Sequence, residues 1–216
     1  MRPYLLYVSS KAGHCEAQLN PDRNFDIAFN DWTKNKVAPK FVEHPFSVDK
    51  FKFRHIGEDL IALCSQYQVC AFFDDDVRVS THQLNDLFRI GHLLQFNIWQ
   101  ATLDEKSHTY WKHHRTRPRS YIRPTNCVDL MMPFFSKSAF EKCARSFLYN
   151  YSGFGLEILW DNWLQNRGIM LFDCISVTHT RGLVGGSRRM PNGLTSDQEV
   201  DPTLAKARLT KPKEVW

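Results

Sequence analysis

The feature that most constrains this chain is an unbroken apolar run at 69–73, which ends abruptly in Asp74, Asp75 and Asp76. Segments with helical periodicity lie on both sides of it, at about 47–68 and from Ser80 onward. A short apolar run between helices is typical of a strand buried on both faces of a mostly parallel sheet. Because ligands of such sheets bind outside the carboxyl ends of the strands, the three acids lie where a site is expected.

The rest of the chain alternates between strand and helix patterns. Further strands are predicted at 4–8, 25–29, 96–103 and 169–180, and further helices at 80–94, 138–149 and 156–166. Ser80 with Gln83 forms a capping-box pattern, and Ser138 with Glu141 forms another. This alternation predicts an α/β sandwich, with a mostly parallel central sheet flanked by helices. The glycines and prolines after Arg181 predict a flexible basic tail at 187–216.

Composition excludes several other classes of protein. With 43% hydrophobic and 24% charged residues, the 216-residue chain can bury a core, which excludes full disorder. No apolar run approaches the roughly 20 residues of a membrane span, and the first residues are too weakly apolar for a signal peptide. The six cysteines are irregularly spaced, which favours reduced core residues over a zinc ribbon or a disulfide framework. We therefore expect a cytoplasmic protein.

The acid triplet indicates a metal site. In an extended segment Asp74 and Asp76 point to the same side, and Asp75 points away. Adjacent carboxylates raise one another's pKa unless a cation lies among them. Mg²⁺ and Mn²⁺ prefer such oxygen ligands and keep positions open for substrate phosphates. The pattern predicts a metal ion held against a diphosphate, and a solvated acidic turn is the alternative.

A second candidate cluster opens the helix predicted at 156–166. Glu157 and Asp161 are four residues apart and share a helix face that differs from the apolar one. Glu157 follows a glycine turn and is a candidate general base for an acceptor hydroxyl. The alternative is a favourable interaction of these acids with the helix dipole.

Candidate cationic and metal-binding residues follow near the C-terminus. His179 ends a predicted strand and is a candidate metal ligand, or else a hydrogen-bonded polar residue. Arg181, Arg188 and Arg189 flank glycines, an arrangement able to close over a phosphate leaving group. A solvated basic tail is the alternative for these arginines.

The segment 106–123 holds six Lys or Arg and three His, with no acid. Because the net charge is only +5, a nucleic acid is an unlikely partner. An anionic acceptor, or an anionic membrane surface contacted peripherally, explains the local charge equally well, and a solvated loop is the alternative. His113 and His114 within it need further ligands to bind a metal.

Five segments taken together resemble a known family. They are FFDDDV (72–77), QATLD (100–104), NCVDLMMPFFSKSAF (126–140), GFGLE (153–157) and FDCISVTHTRGLVGG (172–186). The family is a set of plant and bacterial proteins, sometimes mislabelled as lysine-ketoglutarate reductase trans-splicing related, whose domain looks like a GT-A glycosyltransferase. Order and spacing agree from about residue 69 to 186.

The resemblance implies that a sugar passes from a nucleotide-sugar donor to a hydroxyl of a glycan or glycolipid acceptor. It implies Mn²⁺ or Mg²⁺ on Asp74 and Asp76, completed by His179, with Glu157 as base and Asp129 orienting the acceptor. Phe154 and Glu157 depart from the family's Trp and Asp, which weakens the assignment of the base. The outcome at the anomeric carbon, inverting or retaining, stays open.

The resemblance also sets the expected organisation. One GT-A-like domain spans 1–186, with a nucleotide-binding half at 1–73 and a metal and acceptor half at 74–186. Asp26 or Asp31 is the expected contact for the base or ribose. The chain is small for this class, which leaves room for a partner or a second subunit to complete the acceptor site.

Two alternative functions compete with the transferase. A phosphatase of the haloacid-dehalogenase type also places D-x-D after a strand, but it needs Thr or Val two residues after the second Asp, where this chain has Arg78. The other is a non-enzymatic carbohydrate- or partner-binding module on a degenerate transferase fold.

Overall fold

The computed structural model describes residues 1–10, 15–31, 42–46, 57–165, 167–182 and 186–209. The strands in these residues are β1 Tyr4–Ser10, β2 Phe25–Asp31, β3 His44–Phe46, β4 Val69–Asp74, β5 Val77–Arg78, β6 Ile98–Leu103, β7 Ile122–Pro124, β8 Phe134–Ser136 and β9 Ile169–His179. The α-helices are α1 Glu58–Cys64, α2 Thr81–Leu93, α3 Lys137–Cys143, α4 Leu156–Trp163 and α5 Val200–Lys206. Short 3-10 helices lie at Lys112–His114, Ala144–Leu148 and Asp197–Glu199.

The strands form one sheet in the order β3-β2-β1-β4-β8-β6-β9-β5, and β7 pairs with β9. Strands β1, β2, β3, β4, β6 and β9 all run in one direction, since β8 is antiparallel to both β4 and β6. The prediction of an α/β sandwich with a mostly parallel central sheet is confirmed.

Strand β4 is buried on both faces, as the apolar run predicts. Phe72 faces one core, where its ring stacks on Phe140 at 5.8 Å between centroids. Phe73 faces the other core and meets Phe134 edge-on at 5.5 Å. Since successive side chains of a strand point to opposite faces, an alternating polar pattern would have exposed one of them.

Helix boundaries agree with the sequence in one place and differ in another. The capping box of α2 is confirmed: the Gln83 N–H donates to Ser80 Oγ at 3.2 Å, and the Ser80 N–H donates to the Gln83 side chain at 3.0 Å. Helix α3 is capped by Ser136, the last residue of β8, instead of Ser138. Of the helix predicted at 47–68, residues 47–56 lie outside the described residues, and α1 begins at Glu58.

The segment after residue 186 differs from the predicted flexible tail. Residues 197–206 form a 3-10 turn followed by α5, which packs on α4. Val200 and Leu204 are four residues apart and both buried, so α5 has an apolar face that the glycine-rich surroundings obscured. Residues 210–216 lie outside the described residues.

Within the described part of the chain, every helix is too short or too polar to cross a bilayer.

Candidate functional site

Three neighbouring strands bring polar side chains to the carboxyl edge of the sheet. The register pairs Ser10 of β1 with Asp31 of β2, and Ser9 of β1 with Asp74 of β4. Asp31 is buried at this edge. Because the carboxyl ends of parallel strands meet at one edge, the acids predicted at 31 and 74 lie on the same side of the sheet.

Asp26 lies at the amino end of β2, where its carboxylate is already paired with other side chains. It is the second residue of the strand, and its carboxylate forms an ion pair with Arg2 at 2.8 Å and accepts the Tyr67 hydroxyl at 3.0 Å. Burial opposes its charge, but the hydrogen bonds from Arg2 hold its pKa below the usual value. Of the two expected nucleotide contacts, only Asp31 lies at the carboxyl end of β2.

The acid triplet is paired with two cationic side chains. Asp76 Oδ2 lies 3.4 Å from His179 Nε2 and 3.3 Å from an Arg181 nitrogen, and Asp75 Oδ1 lies 2.9 Å from the other Arg181 nitrogen. The short strand β5 explains this proximity, because it aligns Val77 with His179. The positive charge that the sequence argument assigned to a metal ion is thus supplied here, at least in part, by protein side chains.

His179 is held firmly in this position. Its backbone N–H donates to Ser107 Oγ at 3.0 Å, and its Nδ1 donates to the His108 carbonyl at 2.6 Å, which leaves Nε2 facing Asp76. Burial opposes the charged imidazolium, but the hydrogen bonds to Asp76 and His108 outweigh it and raise the pKa of His179 to about 9. The same pair lowers the pKa of Asp76 against the effect of its own burial.

One carboxylate oxygen of the triplet fits a metal ion. Asp76 Oδ1 is buried and has no hydrogen-bond partner among the described residues, and such an oxygen is a suitable ligand for Mg²⁺ or Mn²⁺. The donor atoms of Asp74, Asp76 and His179 do not, however, all lie within 4.8 Å of one another. Asp76 is therefore the residue of this group whose surroundings best suit a cation.

The glycine turn before α4 presents Glu157. Gly153 and Gly155 have backbone φ values of +85° and +89°, a conformation that residues with a Cβ rarely adopt. The Gly153 N–H donates to Asn150 Oδ1 at 2.8 Å, and the Gly155 N–H donates to Glu157 Oε2 at 3.1 Å.

Burial, with a contribution from Asp129, raises the pKa of Glu157 to about 7. Burial also raises the pKa of Asp161, to about 6.

Asp129 lies near both the His179–Asp76 pair and Glu157 at the glycine turn. It is half-buried, and its Oδ1 accepts the Met131 N–H at 3.2 Å. Its negative charge contributes to raising the pKa of both Glu157 and His179, so it lies within electrostatic reach of each. The structure thus places the predicted base, the predicted orienting acid and the predicted metal-binding histidine around one region.

Glu199 is not among the predicted site residues, and it supports the glycine turn from the C-terminal segment. Its buried carboxylate accepts the Tyr151 and Ser152 N–H groups at 3.2 and 2.8 Å and the Asn192 amide at 2.7 Å. No local signal identifies it, since it lies in the segment expected to be flexible.

Part of the basic segment 106–123 is structural. Arg115 donates to the backbone carbonyls of Asp104 and Ser107, and Arg123 pairs with Asp173 at 2.8 Å. A groove of about 720 Å³ is lined by Arg123 and by five other members of the segment, together with Thr125 and Asn126: Tyr110, Trp111, Lys112, His113 and Arg117.

Arg188 is exposed, and its carbonyl accepts the Ser196 N–H at 3.0 Å. Arg189 is also exposed, and its side chain donates to the Gly193 carbonyl at 3.1 Å.

Comparison with protein-family models and with curated sequences finds no match. Solved structures of TarS, a glycosyltransferase from S. aureus, do match. TarS 1-349 in complex with UDP-GlcNAc has a TM-score of 0.58 at 7% identity, over 88% of this chain and 62% of that chain. TarS 1-349 alone gives 0.55 at 7% identity, over 82% and 59%. The longer TarS structure gives 0.53 at 8% identity, over 82% and 36%.

The chain has a glycosyltransferase fold. At this identity the likeness shows the fold alone, and the chain spans about three fifths of TarS 1-349. The resemblance to the plant and bacterial family, which no family model supports, stays a prediction.

Proposed function

We propose that this protein transfers a sugar from a nucleotide-sugar donor to a hydroxyl acceptor, with the donor diphosphate at the acid triplet. The observation that carries the proposal is the position of Asp129. Its charge contributes to raising the pKa of His179, which pairs with Asp76, and the pKa of Glu157, so it lies near both residues. A fold shared with TarS, for which complexes with UDP and UDP-GlcNAc exist, supports a donor of this class.

The donor end of the site would bind through charge. Arg181 is about half exposed although it pairs with Asp75 and Asp76, so its guanidinium can turn to a phosphate without leaving a buried position. A Mn²⁺ or Mg²⁺ ion would be held by Asp76, with Asp74 beside it, and would supply Lewis-acid neutralisation of the departing diphosphate. His179 would hold Asp76 in place, and Asp31 would contact the nucleoside.

Glu157 would remove the proton from the acceptor hydroxyl. A pKa of about 7 leaves a useful fraction of the carboxylate ionised at neutral pH while keeping it basic enough to accept a proton. This role requires an inverting reaction, since a retaining one needs no dedicated base. Asp129 would orient the acceptor from the neighbouring segment.

The groove beside this region suits an anionic acceptor. Tyr110 and Trp111 offer flat apolar faces, and Lys112 and Arg117 are exposed cations. A glycan with acidic groups, or an anionic glycolipid at a membrane surface, would engage both kinds of side chain.

A panel of UDP-, GDP-, CMP- and dTDP-sugars, with and without Mn²⁺, tests the proposal by thermal shift and by release of the nucleoside diphosphate. We expect one donor class to stabilise the protein in a metal-dependent manner, and Asp76→Asn to lose that stabilisation. Asp59→Asn, at an exposed carboxylate of α1, is the matched control.

Stabilisation by no donor would contradict the transferase and favour a binding module. Hydrolysis of a phosphomonoester in place of donor binding would indicate the phosphatase.

A further inference from the structure

Three side chains outside the proposed donor site come together as candidate metal ligands. His113 and His114 lie in the 3-10 helix Lys112–His114, and Cys127 lies in the segment after β7. One donor atom from each of the three lies within 4.8 Å of the other two. His114 and Cys127 are buried and His113 is half-buried. We call these three residues the His-Cys cluster.

One ring nitrogen of His114 is available as a metal ligand. His114 Nε2 lies 3.2 Å from the Cys127 carbonyl oxygen, which can only accept, so Nε2 carries the proton. In the neutral ring, Nδ1 then keeps its lone pair, and it is buried without a hydrogen-bond partner in the described part of the chain. A backbone carbonyl that fixes the tautomer of a ligating histidine in this way is the usual outer contact of protein metal sites.

His113 provides a second unsatisfied nitrogen. Its Nε2 is also buried, and no described residue forms a hydrogen bond with it; the centroid of its ring lies 4.2 Å from that of His114. Buried polar atoms without partners are rare, and two in adjacent residues suggest a missing common partner.

Acidic side chains lie near the His-Cys cluster. Asp129 follows Cys127 by two residues, and Glu157 and Asp161 lie within electrostatic reach of the Cys127 side chain. Asp129 Oδ2 lies 3.9 Å from His114 Nδ1. A divalent cation at this point would stabilise the thiolate and relieve the repulsion among the acids.

We propose that the His-Cys cluster binds a zinc ion through Cys127, His113 and His114, with a water molecule in the fourth position. A thiolate and two imidazoles select zinc over the Mg²⁺ or Mn²⁺ expected at the acid triplet, because those ions prefer oxygen ligands. The ion ties the basic segment 106–123 to the segment carrying Asp129. This metal centre is distinct from the donor site and does not depend on the proposed transfer reaction.

Metal analysis of the full chain, purified without a histidine tag, tests the proposal. We expect one zinc ion per chain and, after exchange for Co²⁺, the near-ultraviolet absorption of a sulfur-to-cobalt charge transfer. Cys127→Ser and His114→Gln should lose both signals. Cys174→Ser and His82→Gln, which alter an exposed cysteine and an exposed histidine, should keep them.

A variant at the half-buried position separates metal loss from misfolding. Zinc added to the metal-free wild type should raise its melting temperature, and zinc added to His113→Gln should not. Asp76→Asn should keep its zinc, which distinguishes this centre from the donor site. A wild type without zinc and without the cobalt–sulfur absorption would overturn the proposal, and so would equal loss in Cys174→Ser.

Discussion

The two carboxylate oxygens of Asp76 have different surroundings. Its Oδ2 is within 3.4 Å of both His179 and Arg181, while its Oδ1 is buried and has no partner among the residues that the structure describes. The same carboxylate can therefore keep the imidazolium in place and still present an oxygen to a cation. In the proposed site, His179 therefore positions Asp76, and Asp76 Oδ1 is the proposed metal ligand.

Asp76→Asn should lower the pKa of His179 from about 9 toward its ordinary value of 6.5, because the amide removes the charge that stabilises the imidazolium. A titration of the His179 ring signals by NMR measures this directly. Asp59→Asn is the control, and an unchanged pKa in Asp76→Asn would show that the ion pair is not formed.

The pair also has a predicted effect on stability. Since the pKa of His179 is raised by folding, its stabilising contribution is complete below about pH 6.5 and is lost as the pH rises through about 9. The free energy of unfolding of the wild type should therefore exceed that of Asp76→Asn most at the acidic end of this range, and the difference should narrow toward pH 9. Urea denaturation at several pH values measures it, and a difference that widens with pH would contradict the sign.

Glu157→Gln should reduce kcat about 100- to 10,000-fold, since a positioned general base contributes on that order, while donor binding stays unchanged. In the wild type, kcat should rise with pH through about 7 as Glu157 ionises. Steady-state kinetics across pH test both statements, with Glu141→Gln on the exposed face of α3 as control. Retained activity, or a rise absent near pH 7, would remove Glu157 from the mechanism.

At the scale of elements, α2 packs closely against β6, with Gly91 in contact with the Trp99 ring. A Cβ added to Gly91 would lie 2.1 Å from the Trp99 ring, and that ring is buried with its Nε1 bonded to the Leu87 carbonyl at 2.9 Å. We expect Gly91→Ala to lower the free energy of unfolding by about 1–3 kcal/mol through overpacking. Gly57→Ala, where a Cβ meets nothing within 4 Å, is the control, and equal urea midpoints would contradict this packing.

The C-terminal segment supports the glycine turn through Glu199. Glu199→Ala leaves the Tyr151 and Ser152 N–H groups without their acceptor, which should lower the free energy of unfolding by about 1–3 kcal/mol. It should also lower kcat, because the turn presents Glu157. Asp201→Ala, exposed in the first turn of α5, should change neither quantity. If both variants behave alike in denaturation and kinetics, Glu199 does not hold the turn.

Local patterns account for the elements that the sequence predicts well. The buried strand β4, its terminal acids and the capping box of α2 all depend on neighbouring residues, so a short window contains the whole signal. Ser136 and Ser138 are equally good caps locally, and the choice between them depends on where β8 ends. Helix α5 was missed because its apolar face consists of two buried residues behind a glycine-rich stretch.

The candidate site was less accessible to sequence reasoning because its contacts are long-range. Asp26 and Asp31 lie in one strand, and only the strand's start decides which reaches the carboxyl edge. Arg181 was expected over a phosphate, but its partners Asp75 and Asp76 are over one hundred residues away along the chain. Glu199 and the His-Cys cluster likewise arise from pairings that no short window displays.

At the scale of the whole molecule, the chain shares its fold with TarS at 7% identity. The sheet order brings β1, β2, β4 and β9 to a common edge, which is what a donor site of this kind needs. Identity this low does not carry residue roles from one protein to the other. The roles of Asp76, Glu157 and Asp129 must therefore be tested on this chain's own side chains.

The most direct test is a crystal structure of the full chain with Mn²⁺ and the donor that gives the largest thermal shift. We predict an anomalous manganese peak bound by Asp76 Oδ1, with the diphosphate against Arg181 and the sugar between that ion and Glu157. A nucleotide bound elsewhere, or manganese absent from Asp76 while the donor is bound, would contradict this account.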